Sequence, residues 1–324
     1  MLKRTLTGLV ILLVTAGFVL LKQFNSLFFD AFALIIMYAS IIEVINAYKK
    51  AGKKAHTAVL LCLPAMMFIA ISIVKHIYAD YFYSIEKLSY ATLISFIIIA
   101  VVALMVFLTI DIISAGRLRK KNQEIDENFD AFAKTKISMQ ILAYPILPLS
   151  FFFLLNIMPY DVGYIGIILT FAVAMMTDTC AYLFGRAWGK RKFIPEVSPK
   201  KTIAGVVGGF IGGLAAASLC FLFVQFTSYF WLFKRIVDFE SAKYAFLIIG
   251  LIGSYINQLG DLIASSLKRK VGIKDFSNIF PGHGGFMDRV DGQMFVAVFV
   301  YLIFTIFFSG YHFRYAVVYV WDKS

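Results

Sequence analysis

The sequence predicts an all-α, polytopic membrane protein with about nine transmembrane helices and a cytoplasmic N-terminus. The 324 residues are 60% hydrophobic and only 15% charged, whereas a soluble domain is nearer half apolar and a quarter charged. The apolar runs are about 20 residues long, which is enough for a helix to cross the bilayer core. They do not alternate apolar and polar residues, so the pattern excludes a membrane β-barrel.

Hydrophobic length places nine candidate spans along the chain. The first follows a basic start and resembles a signal sequence, but no clear small-residue cleavage site follows it and further spans come after. It is therefore interpreted as a retained first helix. The spans are 5–21, 27–47, 57–79, 88–113, 138–158, 162–184, 203–230, 244–266 and 293–313.

The distribution of lysine and arginine predicts the orientation of these spans. Most of the 31 basic residues fall at the N-terminus and in every second connecting segment. The positive-inside rule places those segments in the cytoplasm, namely 48–56, 114–137, 185–202 and 267–292. The net charge of +12 then lies on one face, where it suits anionic lipids or a polyanionic substrate. Nucleic acid is not expected as a partner, because no soluble basic domain is present.

The charged segment 114–137 suggests two parts. Residues 1–137 are interpreted as an N-terminal anchoring half. Residues 138–324 are interpreted as a catalytic half that carries the cytoplasmic loop 267–292. The three cysteines lie in apolar runs and indicate neither disulfides nor a metal site.

Several acidic residues lie inside or close to the ends of the predicted helices. A carboxylate in the hydrocarbon is costly, so Asp178 and Asp261 are candidate functional residues, the alternative being solvation in the headgroup zone. Glu43 and Asp111 have similar depth but no polar neighbours along the chain. The sequence therefore favours an ordinary solvated position for these two.

The stretch KDFSNIFPGHGGFMDRVDG, residues 274–292, is a polar break in an apolar chain. Asp261, Ser265 and Lys268 precede it with helical spacing that puts them on one face. Asp288 and Asp291 share a face at i and i+3, and the glycines between allow close backbone approach or an anion nest. Oxygen ligands suit Mg²⁺, and neighbouring basic groups suit phosphates. This combination indicates phosphoryl or nucleotidyl transfer, with a solvated charged loop as the alternative.

A second basic stretch, SPKKT at 198–202, is predicted to open a helix whose N-terminus favours anions. Lys200 and Lys201 are candidates for binding a triphosphate, or are ordinary positive-inside residues. The glycine pairs 208–209 and 212–213 that follow are predicted to let helices pack closely.

Residues 265–291 resemble the signature of the phosphatidate cytidylyltransferases. The blocks DTCAYLFGRAWGK and SPKKT resemble two further family blocks, and over 1–137 the resemblance is only topological. The family usually has glutamate where this chain has Ala204 and Ala264. The matching positions are Ser265, Lys268, Arg269, Lys274, Asp275, Ser277, His283, Gly284, Gly285, Asp288, Arg289 and Asp291.

The resemblance implies transfer of a cytidylyl group from CTP to phosphatidate at the cytoplasmic face. It also implies a homodimer that uses Mg²⁺, and whether a second cation takes part is left open. A CTP-dependent lipid kinase, or a transferase acting on another lipid phosphate, is the alternative. The implied metal ligands are Asp261, Asp288 and Asp291, with Asp178 and Asp275 as partners. The implied phosphate-binding residues are Ser198, Lys200, Lys201, Ser265, Lys268, Arg269, Lys274, His283, Gly284, Gly285 and Arg289. Catalysis is expected to depend on Asp261, Asp288, Asp291, Lys268 and Arg289.

Overall fold

A computed structural model of the chain describes residues 2–77, 85–120, 131–158, 161–230, 233–234, 237–280 and 284–308. These residues are almost entirely helical, which confirms the all-α class. The exception is one short hairpin of two strands, β1 (Lys192–Ile194) and β2 (Ser198–Thr202). The helices are α1 (Leu2–Leu21), α2 (Ser26–Lys50), α3 (Thr57–Ile77), α4 (Ile85–Lys120), α5 (Ala133–Ile157), α6 (Val162–Trp188), α7 (Ile203–Phe226), α8 (Phe239–Lys270), α9 (Met287–Val290) and α10 (Gln293–Phe308).

Within the described residues, the seven helices α2 to α8 are long and apolar enough to cross a membrane. Two shorter apolar helices, Gly8–Leu21 in α1 and Gln293–Phe307 in α10, occupy the first and last predicted spans. The polytopic class is therefore confirmed, and the count of nine stays a prediction. Along α4 large apolar side chains such as Ile98 and Met105 are exposed, as expected of a surface that faces lipid.

The core lies between α2, α5, α6 and α10, which pack against one another in the centre of the bundle. Met37 and Ile41 of α2, Phe153 of α5 and Phe304 of α10 are completely buried there. Because lipid is as apolar as these side chains, close packing rather than exclusion of water holds the helices together. This central packing gives the polar site at the end of the bundle a fixed frame.

Two of the long helices are interrupted near their middle. In α5 the π-helical segment Leu142–Ile146 contains a kink at Tyr144, whose backbone is extended, before Pro145. A proline disfavours helical geometry in the residue before it, which explains the position of the kink. In α8 the π-helical segment is Ile249–Gly253. The second half of α8, which carries Asp261, therefore follows a local irregularity that length and hydropathy did not predict.

The segment SPKKT was predicted to open a helix, and this prediction is wrong. Ser198–Thr202 is strand β2, which pairs antiparallel with β1. The helix begins only at Ile203, and Thr202 is its N-cap, accepting a hydrogen bond from Gly205 N at 3.2 Å. The sequence offers two capping residues, Ser198 and Thr202, and pairing with β1 favours the second. Lys200 and Lys201 therefore lie on an extended strand and not in the first turn of a helix.

The glycines of α7 let it pack closely against α6, as predicted. A Cβ on Gly212 would lie 2.5 Å from the carbonyl oxygen of Met176, and one on Gly208 would lie 2.6 Å from the Phe184 ring. A larger residue at either position would push the two helices apart. Since α6 carries Asp178 and α7 follows the basic strand β2, this contact sets the distance between acidic and basic parts of the site.

The predicted division of the chain at 114–137 stays a prediction. Helix α4 continues to Lys120, and residues 121–130 lie outside the described part. The two predicted halves do make contact, because Glu43 of α2 accepts a hydrogen bond from Met287 N of α9 at 2.8 Å.

Candidate active site

A cavity of about 1050 Å³ lies between α1, α2, α6, α8, strand β2 and the turn before α10. The carboxylates that line it are those of Asp178, Asp261, Asp288 and Asp291. The basic side chains that line it are Arg186, Lys200, Lys201 and Arg289. The apolar wall comes from α1, α2 and α6 and includes Val10, Ile11, Phe32, Ile36, Phe171 and Met175. The cavity therefore joins a charged end to an apolar wall.

Two glycines bring Asp261 and Asp291 together. Gly260 on α8 packs against the turn before α10, where a Cβ would lie 2.6 Å from the carbonyl oxygen of Asp291 and 2.8 Å from Gly292 Cα. Gly292 in turn packs directly against the side chain of Asn257. Since neither backbone could give way to a side chain, the small residues permit the approach of the two acids.

The polar end of the cavity concentrates negative charge. Burial raises the pKa of Asp291 well above its usual range, and the neighbouring carboxylates of Asp261 and Asp178 raise it further. Lys268 and Arg289 act in the opposite direction. Like charges that share a poorly solvated site repel one another. A cation or a basic substrate group placed among these acids would relieve that repulsion.

The neighbouring residues Asn257 and Gln258 on α8 are functional candidates that the sequence reasoning missed. Asn257 Nδ2 donates to Asp178 Oδ1 at 2.7 Å and so fixes that carboxylate. Within the described chain, the buried oxygens Asn257 Oδ1 and Gln258 Oε1 have no hydrogen-bond partner. An unsatisfied buried oxygen calls for an explanation such as an ion or water. An Asn-Gln pair inside an apolar helix, one turn before Asp261, was the available signal.

Lys201 and Arg289 bring positive charge to the acids. Lys201 Nζ donates to Asp261 Oδ2 at 3.1 Å and to the carbonyl oxygen of Gln258 at 3.0 Å. Arg289 lines the cavity, and among the described residues nothing accepts a hydrogen bond from its buried Nε. Lys200 and Ser198 also line the cavity from β2. Unsatisfied or exposed donors of this kind suit phosphate oxygens.

Asp288 organises the loop between α8 and α10. Its Oδ1 accepts from Lys268 Nζ at 2.7 Å, and its Oδ2 accepts from the backbone N–H groups of Phe276 and Gly285, both at 2.9 Å. Asp288 and Lys268 are both buried, and Lys268 also lies over the Phe276 ring. This carboxylate therefore joins the C-terminal end of α8 to two separate parts of the loop.

Comparison with families of known proteins matches residues 2–307 to the Cytidylyltransferase family. The chain belongs to this family.

Curated relatives match part of the chain. A phosphatidate cytidylyltransferase of Staphylococcus saprophyticus is 45% identical over 130 residues, which are 40% of this chain and 45% of that protein. The enzyme of the same name from Bacillus subtilis is 38% identical over 135 residues, which are 42% of this chain and 45% of that protein. These matches span less than half of each relative's length.

The structure gathers some of the residues that the family signature implied and separates others. His283 lies outside the described residues. Those that line the cavity are Asp178, Ser198, Lys200, Lys201, Asp261, Asp288, Arg289 and Asp291. Those that do not line it are Ser265, Lys268, Arg269, Lys274, Asp275, Gly284 and Gly285.

The residues outside the cavity have other surroundings. Asp275 is exposed and lines a second, open cavity of about 730 Å³ beside Lys49 and Lys50 of α2. Lys274 and Arg269 are exposed as well. Gly285 N is used by Asp288, and Gly284 adopts the left-handed conformation with φ 81° that its turn requires. Roles for these residues in binding phosphate or metal stay sequence predictions.

The expectation that Glu43 and Asp111 occupy ordinary solvated positions is wrong. Both are buried and paired in the fold. Asp111 accepts from Thr135 N at 3.1 Å and from Thr135 Oγ1 at 2.9 Å, and it pairs with His56 Nε2 at 3.2 Å. Glu43 binds the cytidylyltransferase signature loop itself. Sequence neighbours did not reveal these partners, because they lie in other helices or far along the chain.

Proposed function

We propose that the protein is a phosphatidate cytidylyltransferase, which condenses CTP with phosphatidate to give CDP-diacylglycerol and pyrophosphate in phospholipid biosynthesis. The cavity carries this proposal, because one continuous space has acids and bases at one end and apolar helices along its wall. A lipid phosphate is an amphipathic substrate that needs both kinds of surface. Similarity to curated enzymes of this name supports the choice of substrates.

The donor set at the polar end fits Mg²⁺, although no three acid, histidine or cysteine side chains of the described chain form a ready-made metal cluster. Carboxylate and amide oxygens are the ligands that hard cations prefer. Asp261, Asp291 and Asp178 supply carboxylates, and Asn257 and Gln258, whose oxygens Oδ1 and Oε1 are unsatisfied, line the same cavity. These residues would hold Mg²⁺, which neutralises the phosphates that it binds.

Asp288 is placed differently in the proposal. Its two oxygens already accept three hydrogen bonds. We therefore propose that Asp288 holds the loop in place and does not bind the metal. Asp275 lies in the second cavity and is not assigned to the metal either.

The proposed reaction is a substitution at the α-phosphorus of CTP. A phosphate oxygen of phosphatidate forms the new P–O bond, and the bond to the β-phosphate breaks to release pyrophosphate. The nucleophile is already anionic because the second pKa of a phosphomonoester is about 6. The cavity therefore needs no strong general base. Its main task is to bring two anions together, which the side chains of Lys200, Lys201, Arg186 and Arg289 favour.

The proposed membrane orientation puts the cavity at the cytoplasmic face, where CTP is available. The basic hairpin, the C-terminal end of α2 and the signature loop lie near the same end of the bundle, since Lys201 contacts α8 and Glu43 contacts the loop. Basic segments of membrane proteins favour the cytoplasm. A homodimer is the proposed assembly.

The test is synthesis of labelled lipid by the purified protein in detergent–lipid micelles. Labelled CTP, phosphatidate and Mg²⁺ are expected to yield CDP-diacylglycerol, and chelation with EDTA is expected to abolish the product. Asp261→Asn should lose nearly all activity, whereas Asp238→Asn, at the start of α8 away from the cavity lining, should retain it. If an isoprenoid phosphate is turned over as fast as phosphatidate, the protein acts on another lipid phosphate. If the γ-phosphate of CTP is transferred, the protein is a lipid kinase.

A further inference from the structure

Glu43 on α2 accepts three hydrogen bonds from the loop between α8 and α10. Ser277 Oγ donates to Oε1 at 2.6 Å, and the backbone N–H of Phe286 donates to the same oxygen at 3.0 Å. The N–H of Met287 donates to Oε2 at 2.8 Å. Glu43 is only 5% exposed. A buried carboxylate without hydrogen-bond partners is costly. The Glu43 side chain therefore fixes the position of the loop relative to α2.

Three consecutive backbone amides of the turn are held by two carboxylates. Gly285 N donates to Asp288, and the next two amides donate to Glu43. Gly285 itself packs directly against the Glu43 carboxylate, so that any Cβ at this position would collide with it. Consecutive amides in such a turn are well suited to bind an anion. Here the anions are side chains of the protein, and they fix the shape of the turn.

The turn leads directly into residues that line the cavity. Arg289 and Asp291 follow Met287 within four residues, and both face the cavity. Lys268 on α8 holds the loop from one side through Asp288, and α2 holds it from another side through Glu43. The position of Arg289 and Asp291 relative to Asp261 therefore depends on a residue of the N-terminal part of the chain.

We propose that Glu43 is a positioning residue for the transferase reaction, which rests on the function proposed above. Its carboxylate holds the turn 284–287 so that Arg289 and Asp291 face the phosphates of the substrates. It contacts the turn and not the reacting atoms. A displacement of about 1 Å in a catalytic group can cost about 100-fold in rate, so a loosened turn is expected to lower kcat.

The experiment compares Glu43→Gln with a matched control in the full-length protein. Glu43→Gln keeps the size of the side chain but replaces one accepting oxygen by an NH₂ group that faces a donor. The control is Asp111→Asn, since Asp111 is a buried acid of the same part of the chain, 3% exposed, with hydrogen bonds to Thr135 instead of the loop. Glu43→Asp keeps the charge and shortens the side chain, and should fall between wild type and Glu43→Gln.

Two readouts separate positioning from general stability. Hydrogen–deuterium exchange of the peptide 276–290 reports on the turn without any substrate, and steady-state kinetics give kcat and KM for each substrate. We expect Glu43→Gln to speed exchange in this peptide and to lower kcat about 10- to 100-fold, with smaller changes in KM. Asp111→Asn should change neither readout.

Three outcomes would overturn the inference. Faster exchange in Glu43→Gln with wild-type kcat would show that the hydrogen bonds are structural only, and an equal loss of kcat in Asp111→Asn would show general destabilisation. An unchanged exchange rate in Glu43→Gln would also contradict it. A wild-type protein that forms no CDP-lipid would contradict the proposed function, while the exchange data would still show whether Glu43 holds the turn.

Discussion

At the residue scale, two aspartates that line the cavity, Asp261 and Asp288, have different surroundings and so different expected roles. Asp288 is buried and pairs with buried Lys268. The side chain of Asp261 is 42% exposed in the cavity, and its partner Lys201 also binds a backbone carbonyl. Removing one partner of a buried ion pair leaves an uncompensated charge. Loss of Asp288 should therefore affect folding, whereas loss of Asp261 should affect chemistry alone.

We predict that Asp288→Asn lowers the free energy of unfolding by about 3 kcal/mol, because Lys268 then remains buried without its counter-charge. Asp261→Asn should change stability by less than about 1 kcal/mol and still abolish transfer. Thermal unfolding in detergent and the CTP-dependent synthesis of lipid measure the two effects. If Asp288→Asn is as stable as wild type but inactive, the residue acts on substrate or metal and not through the loop.

At the element scale, the approach of α8 to the turn before α10 depends on Gly260. We predict that Gly260→Ala destabilises the protein by about 1–3 kcal/mol, the usual cost of overpacking, and lowers activity because Asp291 is displaced. The atoms that its Cβ would meet include the backbone of Asp291 and Gly292, which cannot rotate away. Comparison of melting temperature and kcat with wild type measures both effects.

Gly17→Ala is the control for this substitution. Gly17 lies in helix α1, and nothing lies within 4 Å of a Cβ at this position. Alanine is the better helix former, so the variant should be as stable as wild type or slightly more so. Equal behaviour of the two alanine variants would mean that α8 and the turn can separate without cost.

The two positions where the family usually has glutamate differ in their surroundings. Ala264 of α8 is completely buried, whereas Ala204 is half-buried in the first turn of α7. We predict that Ala204→Glu is tolerated, since an acid near a helix N-terminus is favourable. Ala264→Glu should destabilise by several kcal/mol, because Ala264 is completely buried and a carboxylate there would be removed from water. Thermal unfolding of both variants measures this, and a stable Ala264→Glu protein would indicate an unrecognised partner for the acid.

At the scale of the whole molecule, features that depend on neighbouring residues in the chain could be predicted from the sequence. Features that depend on contacts formed only in the folded protein could not. The positions of the helices depend on local apolar length, so they could be placed. The conformation of SPKKT could not be predicted, because Ser198 and Thr202 are both capping residues and only pairing with β1 decides between them. Glu43 was missed because its partners lie 234 to 244 residues away. The role of Asp288 as a metal ligand stays a prediction, and its ion pair with Lys268 could not be predicted because it depends on the folded loop.

The last expectation concerns the orientation of the protein in the membrane. The length of α2 determines which two connections lie at opposite ends of the bundle. About 26 Å of helix separate Ser26 from Glu43, so the α1–α2 connection and the signature loop lie at opposite ends of the bundle. Phe24 is 84% exposed in that connection, and Asn278 is exposed in the loop. The concentration of basic residues around the loop predicts that it lies in the cytoplasm, where it would attract CTP as well as anionic lipid.

We therefore predict opposite labelling of two single-cysteine variants, prepared after Cys62, Cys180 and Cys220 have been replaced by alanine. A membrane-impermeant maleimide should label Phe24→Cys in intact bacterial spheroplasts and Asn278→Cys only in inverted membrane vesicles. The reverse pattern would place the acids of the cavity on the side of the membrane that CTP does not reach. Such a result would contradict the proposed reaction even if every side chain of the site were correctly placed.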